Sequence, residues 1–457
     1  MTRLILAVAL IAAAAPHADA GGMFLPTRGV RPTARAGAFV AGADDLGGGM
    51  WFNPAGLAAM AGGKQRQFIF DLSYVSQRVS YSRMDSGFNE LDAVDSEHTG
   101  KPIPTVALAF DVTDKVVVGG GVFAPYAALG RYPVDGPQRY SLVDLSETVM
   151  VIGEVAVGWQ VSDRLRLGAG FQNLFANVVS SVVFNGCPGQ TVCAPEDPEF
   201  DSLSQIDQND YSSPSGVIGA QFDAHDRVRT GVSFQFPFKV SGTGDLSVVL
   251  PDSAFYDGAT VTGSKAAMSF TLPAMLRVGV QVRVAPRWHV ELDMDVEFWS
   301  MHDEFVIEPE NVRIEGAPGV GTYEVGDMTI PREFENSIAV KLGVEGQPSA
   351  RTPLTVAAGY AYETAAVPDK TLSVMTMDGS KHLVSGGLGY AFGSTTVYGA
   401  VSYVAVADRS VSAQEGEGPQ LSPIRDDNQT APLDTFVNWG QYGAWWLTAG
   451  VGVVSEF

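Results

Sequence analysis

Leu276 to Phe298 reads LRVGVQVRVAPRWHVELDMDVEF. In an extended chain Leu276, Val278, Val280, Val282 and Val284 fall on one face, and Arg277, Gly279, Gln281 and Arg283 on the other. Past the turn Ala285-Pro286-Arg287, the set Trp288, Val290, Leu292, Met294, Val296 and Phe298 alternates with His289, Glu291, Asp293, Asp295 and Glu297. Period two marks strands with one apolar face. A soluble sandwich does not need every strand to alternate so strictly. A transmembrane barrel does, because lipid lies on one side of the wall and water on the other. A symmetric turn at Pro286 sets Arg277 opposite Asp295 and Gln281 opposite Glu291, so Arg277 is expected to pair with a carboxylate rather than a ligand. A strand spaces the acidic row by about 6.6–6.8 Å along one face. That is too far for neighbours to share a metal ion, so the row reads as a hydrated lumen wall.

The pattern repeats along the chain. Val149, Val151, Val155, Val157 and Trp159 form one such face, and Leu165, Leu167, Ala169 and Phe171 another. Ile338, Val340, Leu342 and Val344 follow, then Leu354, Val356, Ala358, Tyr360 and Tyr362. Glycines gather on the opposite faces, where a small residue leaves lumen space. Tight turns at Thr113-Asp114-Lys115, Ser162-Asp163-Arg164, His225-Asp226-Arg227, Pro348–Arg351 and Gly393-Ser394 alternate with long polar loops at 83–101, 125–143, 184–210, 243–263, 301–332, 364–379 and 407–440. Short turns on one rim and long loops on the other predict an all-β fold, a transmembrane antiparallel barrel of about 14 strands. The last strand carries Leu447, Ala449, Val451 and Val453 outward and ends on Phe457, with Trp439, Tyr442, Trp445 and Trp446 placed for an interfacial girdle.

Composition narrows the class. The 457 residues are 46% hydrophobic and 18% charged, with two cysteines and a net charge of −22. The apolar fraction excludes a disordered chain, and two cysteines cannot staple a chain of this length. The acidity argues against nucleic acid as a partner. Arg3, the apolar Leu4–Ala15 and Ala18-Asp19-Ala20 form a secretory signal peptide. The expected divisions are therefore a signal peptide at 1–20, a non-alternating plug at 21–63 and a barrel at 64–457. Cys187 and Cys193 lie close together in a long loop of an exported chain and are expected to form a disulfide. The six histidines are scattered, and no nucleophile elbow, zinc box or phosphate loop occurs. No cofactor, metal or enzymatic activity is expected. A phospholipase-like barrel would need a Ser-His pair on the wall, and none is evident.

A barrel this wide is either open or plugged. Asn53-Pro54-Ala55-Gly56-Leu57 supplies an N-cap and a proline suited to the first helical position. Together with Ala38-Phe39-Val40-Ala41 and Asp44-Asp45, it resembles the hatch of the FadL-type (OmpP1/FadL/TodX) outer-membrane transporters of long-chain fatty acids, which include aromatic-hydrocarbon channels. Gly121-Val122-Phe123-Ala124-Pro125, Arg139-Tyr140, Leu272-Pro273-Ala274, Val367-Pro368-Asp369 and Gly387-Leu388-Gly389-Tyr390 are similar to later segments of the family, in the same order.

The resemblance implies a monomeric 14-stranded barrel of the bacterial outer membrane with an N-terminal hatch in the lumen, inserted by the barrel assembly machinery among lipid and lipopolysaccharide. It implies passive uptake of long-chain fatty acids or similar hydrophobic compounds, caught at extracellular loops, passed to a barrel pocket and released sideways. An aromatic-hydrocarbon or alkane channel is the alternative, ahead of a general porin. The sideways exit implies a kink near Gly119-Gly120-Gly121 or just after. Phe24 matches the family's apolar N-terminus and is a candidate ligand contact. Phe123, Tyr126, Ala127, Ala128 and Leu129 are candidates for an outer groove, and Arg139 for the ligand site, although its match is to an Arg-Tyr pair rather than to a carboxylate binder. Lumen-facing cations by alternation are Arg166, Arg229, Arg277, Arg283 and Lys341, most of them structural.

Overall fold

The computed structural model describes residues 28–63, 66–85, 87–97, 100–126, 128–187, 193–194, 196–317, 321–421 and 435–457. The signal peptide, Phe24 and Ala127 lie outside the described residues. Among the described residues fourteen antiparallel strands close a barrel. They are β1 (Arg66–Arg83), β2 (Lys101–Thr113), β3 (Val116–Phe123), β4 (Val149–Gln160), β5 (Leu165–Asn185), β6 (Asp201–His225) and β7 (Val228–Gln235), followed by β8 (Met275–Ala285), β9 (Trp288–Glu297), β10 (Ser337–Gly346), β11 (Leu354–Glu363), β12 (Lys381–Phe392), β13 (Thr395–Val411) and β14 (Gly440–Glu456). Each pairs with its sequence neighbours, and β14 returns to β1 with Gln67 opposite Glu456 and Arg83 opposite Gly440. Reciprocal hydrogen bonds between Arg66 and Phe457 finish the seam, each 3.0 Å.

Alternation decides which side chain meets lipid. Val155, Trp159, Phe171, Val284, Leu388 and Val451 stand exposed on the outer face, while Gln172, Gln221, Arg277 and Glu291 between them are buried inside. The β8–β9 register is the one that the Pro286 turn dictates, Arg277 opposite Asp295 and Gln281 opposite Glu291, with a bulge between Arg283 and Ala285. Arg277 pairs with Asp295 as expected, its Nε 4.0 Å from Oδ2, and shares that oxygen with Lys341, whose Nζ reaches it at 2.5 Å. Arg166 and Arg229 both pair with Asp223. The expected girdle is only partly realised. Tyr442 and Trp446 point inward, Tyr442 stacking on Tyr81 at 4.3 Å, because they fall on the even, lumen-facing set of β14.

Gly119-Gly120-Gly121 is not a kink. Its ladders to β2 and β4 run without a shift, Ala107 opposite Gly121 and Ala156 opposite Gly119. The irregularity lies just beyond, where β3 stops at Phe123. The last rungs are Val106 with Val122 and Ile152 with Phe123. Past them, among the described residues, Lys101 Nζ donates to the Thr148 carbonyl at 2.7 Å and links β2 to the start of β4.

Parts of the stretches expected as polar loops at 184–210, 243–263 and 301–332 carry strands, which continue 238–242 and pair with 265–272 outside those loops. β6 begins at Asp201, and its upper half pairs with 238–248, which pairs in turn with 265–272; 304–310 and 328–331 continue this wall. These strands alternate as the barrel strands do, with Val240, Met268, Phe270, Leu272 and Phe305 turned inward and polar residues between them turned outward. A separate small sheet joins 260–262, 313–317 and 321–324.

Residues 28–63 fill the lumen, as two short helices, α1 (Val30–Thr33) and α2 (Leu46–Trp51), and a 3-10 helix at Pro54–Met60. Asp45 caps α2 by accepting from the Gly48 N–H at 2.7 Å. Asn53 Oδ1 accepts from the Ala55 N–H at 3.2 Å, and its amide nitrogen donates to the carbonyls of Val40 and of Ala220 on β6, each at 3.1 Å. Pro54, Ala55 and Gly56 then pack close: a side chain at Gly168 would strike Pro54 and Ala55, and one at Gly56 would strike the Ala43 carbonyl. The inward glycines hold the hatch rather than leaving open space. Gly158, Gly168, Gly219, Gly231, Gly343, Gly359, Gly387 and Gly452, on eight different strands, each face hatch atoms directly.

The acidic row of β9 is likewise no hydrated wall. Glu291 accepts from Arg35, from the N–H groups of Ala41 (2.7 Å) and Gly42 (2.9 Å), and from Gln281 (3.1 Å). Asp293 accepts from the Val40 N–H at 3.0 Å. Gln221 meets the hatch with the opposite polarity, donating to the carbonyls of Val40, Ala41 and Ala43. Helix-poor backbone inside a barrel must find partners for its N–H and C=O groups, and the lumen side chains supply them.

Candidate functional site

Above the hatch, on the long-loop side, the upper halves of β5 and β6, the strands 265–272 and 304–310 and the loops around 145, 330, 373 and 437 enclose a cavity of about 110 Å³. Its lining is mostly hydrocarbon and thioether: Met150, Ile206, Met268, Phe270, Phe305 and Ile330 are typical. Phe270 and Phe305 meet edge to face at 4.8 Å. A few hydroxyls reach it, among them Thr148, Ser204 and Thr371, and among the described residues the only charged one lining it is Arg332.

Arg332 is 3% exposed. Its guanidinium lies over the Phe305 ring at 4.6 Å and donates from Nη2 to the Met375 sulfur at 2.8 Å. Burial lowers its pKa to about 10. The neighbouring His302 is fully buried. Its Nδ1 lies 2.8 Å from the Thr271 carbonyl, which can only accept, so Nδ1 carries the proton. Burial, and then the charge of Arg332, hold it neutral, with a pKa lowered to about 4. A carboxylate triad is absent here: no cluster of three His, Cys, Asp or Glu able to hold a metal occurs among the described residues.

Residues 28–63 of the hatch do not line the cavity. Trp51 lies between the guanidinium groups of Arg28 (4.5 Å) and Arg277 (5.1 Å), with Phe123 edge-on at 5.1 Å. Phe123 is therefore committed to the hatch and does not line an outer groove. Tyr126 and Leu129 are buried as well, Leu129 against Val75 of β1. Of that group Ala128 reaches the cavity wall. Arg139 is engaged elsewhere. Its Nε lies 2.6 Å from Asp201 Oδ2, its Nη2 donates to the Tyr140 hydroxyl at 2.8 Å, and that hydroxyl donates to Asp201 Oδ1 at 2.7 Å. The closed triad orients Tyr140, which does line the cavity. Cys187 and Cys193 are joined by a disulfide, Cα atoms 5.8 Å apart, with Cys193 buried in the main apolar cluster.

Sequence reasoning missed Arg332, Phe270 and Phe305. Arg332 sits in an acidic loop with no periodic signal, and its burial is set by residues distant in the chain.

A family model described as outer membrane protein transport protein (OMPP1/FadL/TodX) matches residues 11–431. Among solved structures, a Pseudomonas aeruginosa FadL homologue superposes with a TM-score of 0.78 at 16% identity, covering 95% of this chain and 99% of that one. The Pseudomonas putida toluene transporter TodX gives 0.66 at 14% identity over 95% and 100%. The Ralstonia pickettii toluene transporter TbuX gives 0.62 at 17% over 95% and 99%. At these identities the likeness is one of fold. No curated protein sequence matches the chain.

Proposed function

Because the chain belongs to the OMPP1/FadL/TodX family of outer membrane transport proteins, we propose that it carries compounds of monoaromatic size from the external medium through the cavity above the hatch. The coarser role follows from the family: a multi-pass barrel of the bacterial outer membrane, not an enzyme, that passes hydrophobic small molecules passively. Its outer face meets lipid and lipopolysaccharide, and the barrel assembly machinery inserts it.

The observation that carries the finer reading is the cavity. An apolar cavity of about 150 Å³ stays dry and takes benzene. The space here, about 110 Å³ with Phe, Met and Ile walls, is of that order. A long-chain fatty acid would need several times more room. Two of the similar solved structures are toluene transporters, which supports the same choice over fatty acids. From the cavity the route runs past Trp51 and Phe123 to the break between β2 and β4, where the wall lacks a ladder above Phe123. That break is the proposed sideways exit, bridged by Lys101 and Thr148.

Equilibrium binding to the folded, detergent-purified protein tests the reading. Saturable toluene binding that oleate does not displace is expected. Saturable oleate binding untouched by excess toluene would refute it.

A further inference from the structure

We propose that the cavity takes small aromatic monocarboxylates, the ring held among Met268, Phe270 and Phe305 and the carboxylate held by the guanidinium of Arg332. This rests on the reading of the cavity given above and narrows it from hydrocarbons to acids that carry a ring.

The case is one of charge left without a counterpart. Among the described residues no carboxylate lies within ion-pairing distance of Arg332, although the chain carries 51 acidic residues and its other buried arginines mostly find one. Nε of Arg332 is buried and has no hydrogen-bond partner. Nη2, on the same edge of the fork, has only the Met375 thioether, a weak acceptor. The backbone of the residue is fully engaged: its N–H donates to the Asp303 carbonyl at 2.7 Å and its carbonyl accepts from the Thr371 hydroxyl at 2.5 Å. The backbone is thus anchored, and the side chain lines the apolar chamber with Nε unpartnered and Nη2 on a thioether alone. Leaving a buried guanidinium uncompensated is costly, and planar, bidentate carboxylate binding is what that edge is shaped for. Ser204, on the opposite wall, adds a buried hydroxyl that also lacks a partner.

The chemistry of the guest follows. One cation neutralises one negative charge, so a monoanion fits and a phosphate ester does not. The apolar remainder of the lining selects a flat hydrocarbon body. The Phe305 ring already lies under the guanidinium, so an aryl acid can place its carboxylate on Arg332 while its ring meets Phe270 edge to face.

The test is equilibrium dialysis of the full-length folded protein against radiolabelled phenylacetate, methyl phenylacetate and toluene at neutral pH. The acid should bind about tenfold or more tighter than the ester. Arg332→Met should cost the acid a factor of about ten or more, well beyond any change in toluene binding, and Arg332→Lys should recover part of the loss. Heat-modifiable migration on a denaturing gel checks that each variant is folded. If Arg332→Met does not fold, the acid-to-ester ratio of the native protein and the lysine variant decide. Equal binding of acid and ester overturns the proposal, as does a variant that weakens acid and toluene alike. Toluene binding without acid binding overturns it and leaves the monoaromatic reading standing. Failure of all three probes overturns both.

Discussion

Glu291→Ala should unlatch the hatch without dissolving the barrel. Glu291 is fully buried and receives Arg35, two hatch N–H groups and Gln281. Its removal strands a buried guanidinium, and breaking such a pair from one side costs about 3–5 kcal/mol. The fourteen-strand ladder does not depend on this carboxylate, because β9 keeps its full pairing with β8 and β10. The loss should therefore appear as local opening of residues 38–43. At about 1.4 kcal/mol per factor of ten, amide exchange at Val40, Ala41 and Gly42 should quicken by roughly two to three and a half powers of ten. Hydrogen exchange with mass spectrometry at peptide level reads this directly. Arg35→Met with Glu291→Leu removes both charges and should recover much of the protection. The reasoning is refuted if the hatch of Glu291→Ala exchanges within a few-fold of the native rate. Loss of protection spreading equally through β8 and β10 would refute it too.

Gly168→Leu drives a side chain into the backbone of Pro54 and Ala55. It should leave the barrel folded but displace the hatch, seen as a large rise in single-channel conductance; a native trace would contradict the packing described. Acid should loosen the wall around His302. Its folded pKa of about 4 lies below the usual value near 6.5, so the unfolded form binds a proton first as pH falls. Stability is then full above pH 6.5 and declines down to about pH 4, by up to about 3 kcal/mol. Near-UV circular dichroism across that range should show a transition that His302→Phe flattens.

What the sequence revealed and what it hid divide along a physical line. Alternation is imposed by lipid, so β8, β9 and the outward face of β14 were readable residue by residue, and the Pro286 turn set the register of Arg277 with Asp295. The Asn53-Pro54-Ala55-Gly56 stretch was readable as a helix start, but the reason for Gly56, contact with the Ala43 carbonyl, was not. The strands 238–248, 265–272 and 304–310 alternate too, but 243–248 and 304–310 lie in stretches read as polar loops, because Gly, Asp and Glu outweigh their short apolar face. The acidic row of β9 misled for another reason. Its partners are the backbone N–H groups of Val40, Ala41 and Gly42, which carry no side-chain signature. Phe123 and Arg139 looked available for a guest, yet Trp51 and Asp201 had already taken them.

The ring of inward glycines also constrains how the molecule is made. Atoms of residues 34–58 sit so near the backbones of β4, β5, β6, β7, β10, β11 and β12 that a methyl group at these positions would collide. A finished cylinder leaves no clearance through which a segment of that girth threads into place. The N-terminal piece must already be gathered when the β1–β14 seam zips from Gln67 with Glu456 to Arg83 with Gly440. Plug and wall are thus products of one closing event, and a chain whose first sixty residues arrive late closes empty.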